Sequence, residues 1–307
     1  MARSKYLSGA VLMYSMQSTL SSLMAPCVND FSMLITRIIT ATILMAVLLP
    51  ILFFLPPIYL GVFFLIALVA AAWEWSRMIA PEAKKAAWLY AVFCLVIILL
   101  LLGMQAITWQ FSLLMMAVLF WFFLAPFILA KGMNLSLQKF KPFYSIVGLI
   151  ILPATWFALV FLRELGLVFL LTTMALVWVA DIGAYFVGKA FGKHKLAVNI
   201  SPGKSIEGAL GGLLLCYLYA FLCVTYLPLG DTLFGAWAIQ FGWVPMFLMV
   251  TVLTAFSVFG DLFESQLKRL AGVKDSSHLL PGHGGVLDRV DALIPTMPIA
   301  ALLAGWI

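Results

Sequence analysis

Charge is what this chain has least of. Only 10% of its 307 residues are Asp, Glu, Lys or Arg, against about 25% in an ordinary soluble domain. That scarcity excludes a globular surface solvated on all sides. Cysteine is scarce too. Of the four, Cys27, Cys94, Cys216 and Cys223, three lie in apolar segments and none forms a CxxC pair. They read as small core residues, not a disulfide framework or a thiolate metal site. Two of the three histidines, His278 and His283, lie five apart on a loop containing Pro and Gly. With no thiolate nearby, that spacing argues against zinc. No Ser sits in a GxSxG turn, which argues against a serine nucleophile. The GxxxxGK[ST] frame of a Walker A loop is also absent.

What the chain has in quantity is apolar length. Hydrophobic residues make up 65% of it, and the mean hydropathy is +1.13. Uninterrupted apolar runs of eighteen or more residues recur, each long enough to cross a hydrocarbon core of about 30 Å as a helix. Lipid leaves helices or a closed barrel as the only spanning choices, and continuous rather than alternating hydrophobicity selects helices. The expected fold is therefore all-α, a polytopic integral membrane protein. About nine spans are predicted, at 34–55, 58–76, 86–103, 107–130, 144–162, 165–188, 205–228, 241–264 and 290–307. With the N-terminus in the cytoplasm, seventeen of the eighteen basic residues fall on that side and only Arg163 on the other. This is the positive-inside pattern. It accounts for the formal charge of +6 without a nucleic-acid partner. Residues 1–32 are Ser- and Met-rich with no long apolar run. They read as an extension, a targeting segment or an alternative start, and no function is assigned to them.

Polar residues at membrane depth are costly, roughly 2.5–3.5 kcal/mol for a charged side chain at a helix centre. Three groups stand out, all at cytoplasmic ends of spans. Asp181, Tyr185 and Gly188 follow one another at i, i+4 and i+7, one face of a helix; the plain alternative is a helix end with a snorkelling Asp. In Ser201-Pro202-Gly203-Lys204-Ser205-Ile206-Glu207-Gly208, Ser201 is expected to cap a helix with Pro202 in its first turn. Free N–H groups there, with Lys204, would suit phosphate. Gly208 and Gly212 form a small-xxx-small packing face. Third, Asp261, Glu264, Ser265 and Lys268 lie at i, i+3, i+4 and i+7, a single stripe if the eighth span continues through them.

That stripe runs into Ser265–Asp291, which gathers seven of the thirty charged residues. Asp288 and Asp291 are three apart and share a face if helical. A helix N-cap at Asp288 explains one acid, but not two with further acids on the neighbouring span. Aspartates without a Cys or His cluster suit a hard cation such as Mg²⁺, and nearby Lys and Arg suit phosphates. Together these are the parts of a phosphoryl or nucleotidyl transfer site. His283 fits either a phosphate donor or an acid/base.

The run S-x-L-K-R-x₄-K-D-x-S-x₂-L-P-x-H-G-G-V-x-D-R-V-D, from Ser265 to Asp291, resembles the signature of the phosphatidate cytidylyltransferases, the CDP-diacylglycerol synthases. The D-x-G-A-Y-x-x-G run at Asp181 and SPGKS-x-EG at Ser201 are similar to the same family, with Lys204-Ser205 standing where many members have Lys-Thr. The resemblance spans about 33–307, with the catalytic half at about 165–307. It implies transfer of a cytidylyl group from CTP to phosphatidate, giving CDP-diacylglycerol and pyrophosphate with Mg²⁺, and leaves room for a monovalent cation such as K⁺. Carried over, Asp261 and Asp288 would be metal ligands, with Asp291 and Glu264 beside them. Lys204, Lys268, Arg269, Lys274 and Arg289 would hold phosphates. His283, Gly284 and Gly285 would shape a turn against the nucleotide. Asp181 and Tyr185, with Ser201 and Ser205 beside Lys204, would line the cavity. The resemblance also places the protein in the bacterial plasma (inner) membrane with its site facing the cytoplasm, and is compatible with a homodimer.

Two rival readings remain. One is a CTP-dependent enzyme with another lipid acceptor, similar to a CDP-archaeol synthase or a polyprenol kinase. The other is a transporter, whose polar site would usually lie near the bilayer midplane rather than at helix ends.

Overall fold

The computed structural model describes residues 36, 38–40, 42–103 and 107–307. The 1–32 extension, Cys27 and part of the expected 34–55 span lie outside the described residues. Within that span an apolar helix, α1, covers Ile38–Phe54. The further helices are α2 (Pro57–Ile79), α3 (Lys84–Gly103), α4 (Ile107–Leu119), α5 (Ala125–Lys131), α6 (Lys141–Leu165) and α7 (Leu167–Phe191). After a hairpin of β1 (Lys195–Ala197) and β2 (Ser201–Ser205) come α8 (Ile206–Tyr226), α9 (Leu233–Phe241), α10 (Trp243–Leu270), α11 (Leu287–Val290) and α12 (Leu293–Ala304). Among the described residues seven helical stretches are long and apolar enough to cross a membrane, one of them Thr108–Asn134, formed by α4 and α5 together. The protein is an all-α polytopic membrane protein.

The α4–α5 junction shows how sequence shapes a span locally. Phe120–Leu124 is a π-helical turn, and Pro126 follows it at the start of α5. Proline brings no N–H and crowds the carbonyl four residues back, so a wider turn at that point accommodates its ring without ending the span.

The core forms where α2, α6, α10 and α12 meet. The buried Trp75 indole donates to the Tyr144 carbonyl at 2.9 Å, and Trp156 to the Gly61 carbonyl at 2.9 Å, so two indoles tie α2 to α6. Phe263 of α10 stacks on Trp75 and meets Phe120 and Trp121 edge-on. Cys94, Cys216 and Cys223 are free and buried. α7 and α8 approach closely through glycine. A Cβ on Gly212 would come 2.6 Å from the Ala180 carbonyl oxygen, and one on Gly208 2.8 Å from that of Ala184. The small-residue face of α8 is thus used within the chain.

Two local expectations change, and one helix is added. Ser201 does not start a helix. Ser201–Ser205 pairs antiparallel with Lys195–Ala197, Pro202 tolerates an edge strand, and Ser205 is the cap, accepting from the Gly208 N–H at 3.1 Å. A two-stranded hairpin is marginal alone; Glu207 anchors it by accepting from the Lys193 and His194 N–H groups at 3.1 and 3.2 Å. Between the expected spans 205–228 and 241–264 lies a further short helix, where Thr232 accepts from the Gly235 N–H and starts α9. The 290–307 segment is not a long lipid-facing span. The polar break around Asp291 separates α11 from α12, which has twelve residues, eleven of them buried. At about 1.5 Å per residue it falls well short of the hydrocarbon thickness, so it lies inside the bundle against α6 and α10.

Candidate active site

The polar ends of several helices converge. Lys204, on β2, ion-pairs Asp261 of α10 at 2.5 Å, and the Ser265 hydroxyl, one turn on, donates to Asp261 at 3.2 Å. A cavity of about 450 Å³ is lined by Asp181, Tyr185, Ser201, Lys204, Ser205 and Asp261 among others. The Asp181–Tyr185–Gly188 face does turn toward the hairpin, since a Cβ on Gly188 would lie 3.2 Å from Ser205 Oγ. Asp181 feels the charges of both Asp261 and Lys204. Leu196, Ala209 and Val258 of this cavity also line an apolar groove of about 440 Å³ between α8 and α10. A polar chamber and an apolar groove therefore share one wall.

A second cluster lies at the end of α10. Lys268 is clasped by Glu264, one turn back, and by Asp288 of α11, to which it donates at 2.7 Å. Asp288 also accepts from the Gly285 N–H at 2.7 Å and the Ser276 N–H at 3.1 Å. Burial works against ionisation of Asp288, but hydrogen bonding with Glu264 and Lys268 and the Gly285 N–H prevails and holds its carboxyl at about 2. Asp288 is therefore not the N-cap of α11; Val286 holds that position, and the Asp288 side chain reaches back to the Gly285 N–H. Asp291 links the two clusters. Its charge interacts with those of Asp261, Lys268 and Lys204, and a Cβ on Gly260 would lie 2.5 Å from the Asp291 carbonyl oxygen.

The connecting turn is tight. Leu280 and Gly284 bridge antiparallel, and Gly284 has φ +82, with Asp288 Oδ2 2.7 Å from where its Cβ would stand. A side chain there would be strained by the backbone and blocked by the carboxylate. Arg289 donates to the His283 carbonyl through Nε at 3.1 Å and Nη2 at 2.6 Å, so its guanidinium braces the turn. Arg269, in the last turn of α10, and Lys274, just beyond it, are exposed.

Sequence reasoning missed Glu74 of α2. It is fully buried and accepts from Val286 N–H at 3.0 Å, Leu287 N–H at 2.6 Å and the Ser276 and Ser277 hydroxyls. The signal was present: an acid within an apolar run, subject to the same cost that singled out Asp181. Arg77, three residues on, disguises it as half of a helix-surface pair.

The donor set suits a hard cation: carboxylate oxygens from α10 and from the α11 region, with no sulfur or imidazole among them. Among the described residues no three such side chains already stand as a metal cage. Asp261 and Asp288 each hold a lysine instead, and Asp261 and Asp291 lie close enough to repel, which a divalent cation would relieve.

The profile of the cytidylyltransferase family matches residues 35–306. A phosphatidate cytidylyltransferase of Pseudomonas aeruginosa is 39% identical over 279 residues, covering 89% of this chain and 99% of that protein. One from Haemophilus influenzae is 52% identical over 134 residues, 43% of this chain and 44% of its own length. One from Bacillus subtilis is 38% identical over 167 residues, 51% and 58% respectively. The match runs through both clusters and nearly the whole described structure, and on that extent the chain belongs to the cytidylyltransferase family.

Proposed function

We propose that this protein transfers the cytidylyl group of CTP to phosphatidate. An oxygen of the lipid phosphate attacks the α-phosphorus of CTP, the bond from that phosphorus to the oxygen bridging to the β-phosphate breaks, and CDP-diacylglycerol and pyrophosphate result. The observation that carries this reading is the wall shared by the Lys204–Asp261 cavity and the apolar groove beside it. An acceptor with a phosphate head and hydrocarbon tails needs both environments side by side. The names of the relatives support the acceptor.

Asp261 and Asp288 would hold Mg²⁺, with Asp291 and Glu264 beside them, and a monovalent cation such as K⁺ belongs to the same proposal. When bound, Mg²⁺ would neutralise charge on the phosphate oxygens. The chain's own groups orient and neutralise. Lys204 is the basic residue inside the cavity, on a strand edge beside Ser201 and Ser205, and can exchange Asp261 for a phosphate oxygen. Lys268 bridges Glu264 and Asp288 and neutralises them. Arg289 and the Gly284–Gly285 turn keep the Asp288 loop closed against α10. Arg269 and Lys274, exposed at and just beyond the end of α10, attract the triphosphate from solution.

The bacterial relatives and the one-sided basic residues support the plasma (inner) membrane, with the cavity facing the cytoplasm, where CTP is found. Any homodimer must use a face other than the Gly208–Gly212 stripe, which α7 already covers.

The test is purified protein with labelled CTP and, side by side, phosphatidate, an ether-linked archaeal analogue and a polyprenol. Phosphatidate should give CDP-lipid only with Mg²⁺, and Asp288→Ala should abolish product while still inserting in the membrane. Preference for another acceptor would replace the substrate assignment; near-normal turnover by Asp288→Ala would remove the metal assignment.

A further inference from the structure

The start of α11 divides its amides between two carboxylates from different parts of the chain. The Gly285 N–H goes to Asp288, while the next two, Val286 and Leu287, go to Glu74. Ser276 is shared in the same way. Its N–H goes to Asp288 at 3.1 Å, and its hydroxyl stands 3.0 Å from Asp288 Oδ2 and 3.2 Å from Glu74 Oε2. One hydroxyl carries one proton, so it can donate to only one of the two at a time. Ser277 adds its hydroxyl to Glu74 alone. No room is left for slack: a Cβ on Gly285 would stand 1.9 Å from Ser276 Oγ and 2.6 Å from Glu74 Oε1. Glu74 itself is rigidly placed, one residue before Trp75, whose indole is bonded to α6.

We propose that Glu74 is the positioning residue for Asp288: from α2 it grips the 276–287 loop and thereby fixes the carboxylate on which the cation site depends. The inference rests on the Mg²⁺-dependent reading above. A buried carboxylate used only for stability would need donors from anywhere. Here its donors Ser276, Ser277, Val286 and Leu287 all come from the one loop that orients Asp288, and two of them are consecutive with an Asp288 donor. Displacing Glu74 frees Val286 and Leu287, and Gly285 moves with them. Partners that orient a metal ligand commonly change metal affinity or activity by about ten- to a hundredfold when removed.

Glu74→Gln keeps the shape but presents an amide NH₂ to groups that are themselves donors. Purified Glu74→Gln should bind Mn²⁺, followed by electron paramagnetic resonance without nucleotide, about tenfold or more weaker than wild type. Mg²⁺ for half-maximal turnover should rise in parallel, the KM for phosphatidate should stay within about twofold of wild type, and amides 285–287 should exchange hydrogen faster. Glu82→Gln, which removes an exposed pair with Lys141, should change none of these. A Glu74→Gln protein that melts earlier but binds Mn²⁺ and responds to Mg²⁺ like wild type makes Glu74 structural only and overturns the proposal. Should that variant not fold, Ser277→Ala removes one Glu74 partner without touching Asp288, and it must shift Mn²⁺ binding in the same direction; no shift overturns the proposal equally. Wild-type protein that binds Mn²⁺ but makes no CDP-lipid would sink the reaction and leave the positioning role standing, provided Glu74→Gln still weakens that binding. Wild type that binds no Mn²⁺ overturns both.

Discussion

Lys268 on α10 donates to Asp288 on α11 at 2.7 Å while pairing with Glu264 on its own helix. The three side chains are 13%, 8% and 3% exposed, so water does little to solvate them. Removing one member of a buried ionic group leaves the rest uncompensated, at about 3–5 kcal/mol. Lys268→Met should lower stability by that order in denaturant unfolding of the detergent-solubilised protein. Adding Glu264→Gln should recover part of the loss, because one of the stranded charges is gone. A Lys268→Met protein as stable as wild type would show that the cluster is not held together by charge.

The Lys204–Asp261 pair is a different case. Its side chains are 26% and 32% exposed, so the pair adds little to stability, about 0–1 kcal/mol. On the function proposed above, its value lies in binding. Loss of a charge-assisted hydrogen bond to phosphate, about 1.5–3 kcal/mol, should raise the KM for CTP about tenfold or more in Lys204→Ala, with the melting temperature nearly unchanged. An unaltered KM would remove Lys204 from the nucleotide site.

Gly212→Ala sets two effects against each other. Alanine favours a helix by about 1 kcal/mol over glycine, but its Cβ would meet the Ala180 carbonyl oxygen at 2.6 Å. Backbone cannot swing aside as a side chain can, and overpacking costs about 1–3 kcal/mol. The clash should win, destabilising the α7–α8 pair by about 1 kcal/mol or more. Gly103→Ala, with nothing within 4 Å of the new carbon, should be neutral or mildly stabilising. The two melting temperatures measured side by side decide it, and an equal response would refute the close-approach argument.

Gln266 is fully buried and donates to the carbonyls of Ile128 and Gly132 at 3.1 and 2.6 Å. These belong to the C-terminal end of α5 and the residue beyond it, where carbonyls lack helical partners. Gln266→Leu should cost about 1–3 kcal/mol by leaving them unpaired. Circular dichroism melts check the size, and faster hydrogen exchange near residue 132 checks the place.

Sequence by itself determined the membrane class, seven of the span positions to within a few residues, and the concentration of charge from Asp261 to Asp291. These are properties of composition and short-range periodicity, which the chain carries at each point without reference to any other. The stripe of Asp261, Glu264 and Lys268 was legible because a helix turns every 3.6 residues wherever it lies. Only tertiary structure decided that Ser201–Ser205 is a strand, since its partner lies across a hairpin and its anchor, Glu207, is on the next helix. Only tertiary structure turned Arg289 toward the His283 carbonyl and placed α12 inside the bundle, because burial depends on what surrounds a segment and not on how apolar it is. The same holds most strongly for Glu74, whose partners Ser276 and Leu287 lie more than two hundred residues away along the chain. A contact of that range has no local periodicity to announce it, and it exists only once α2 and α11 have packed together.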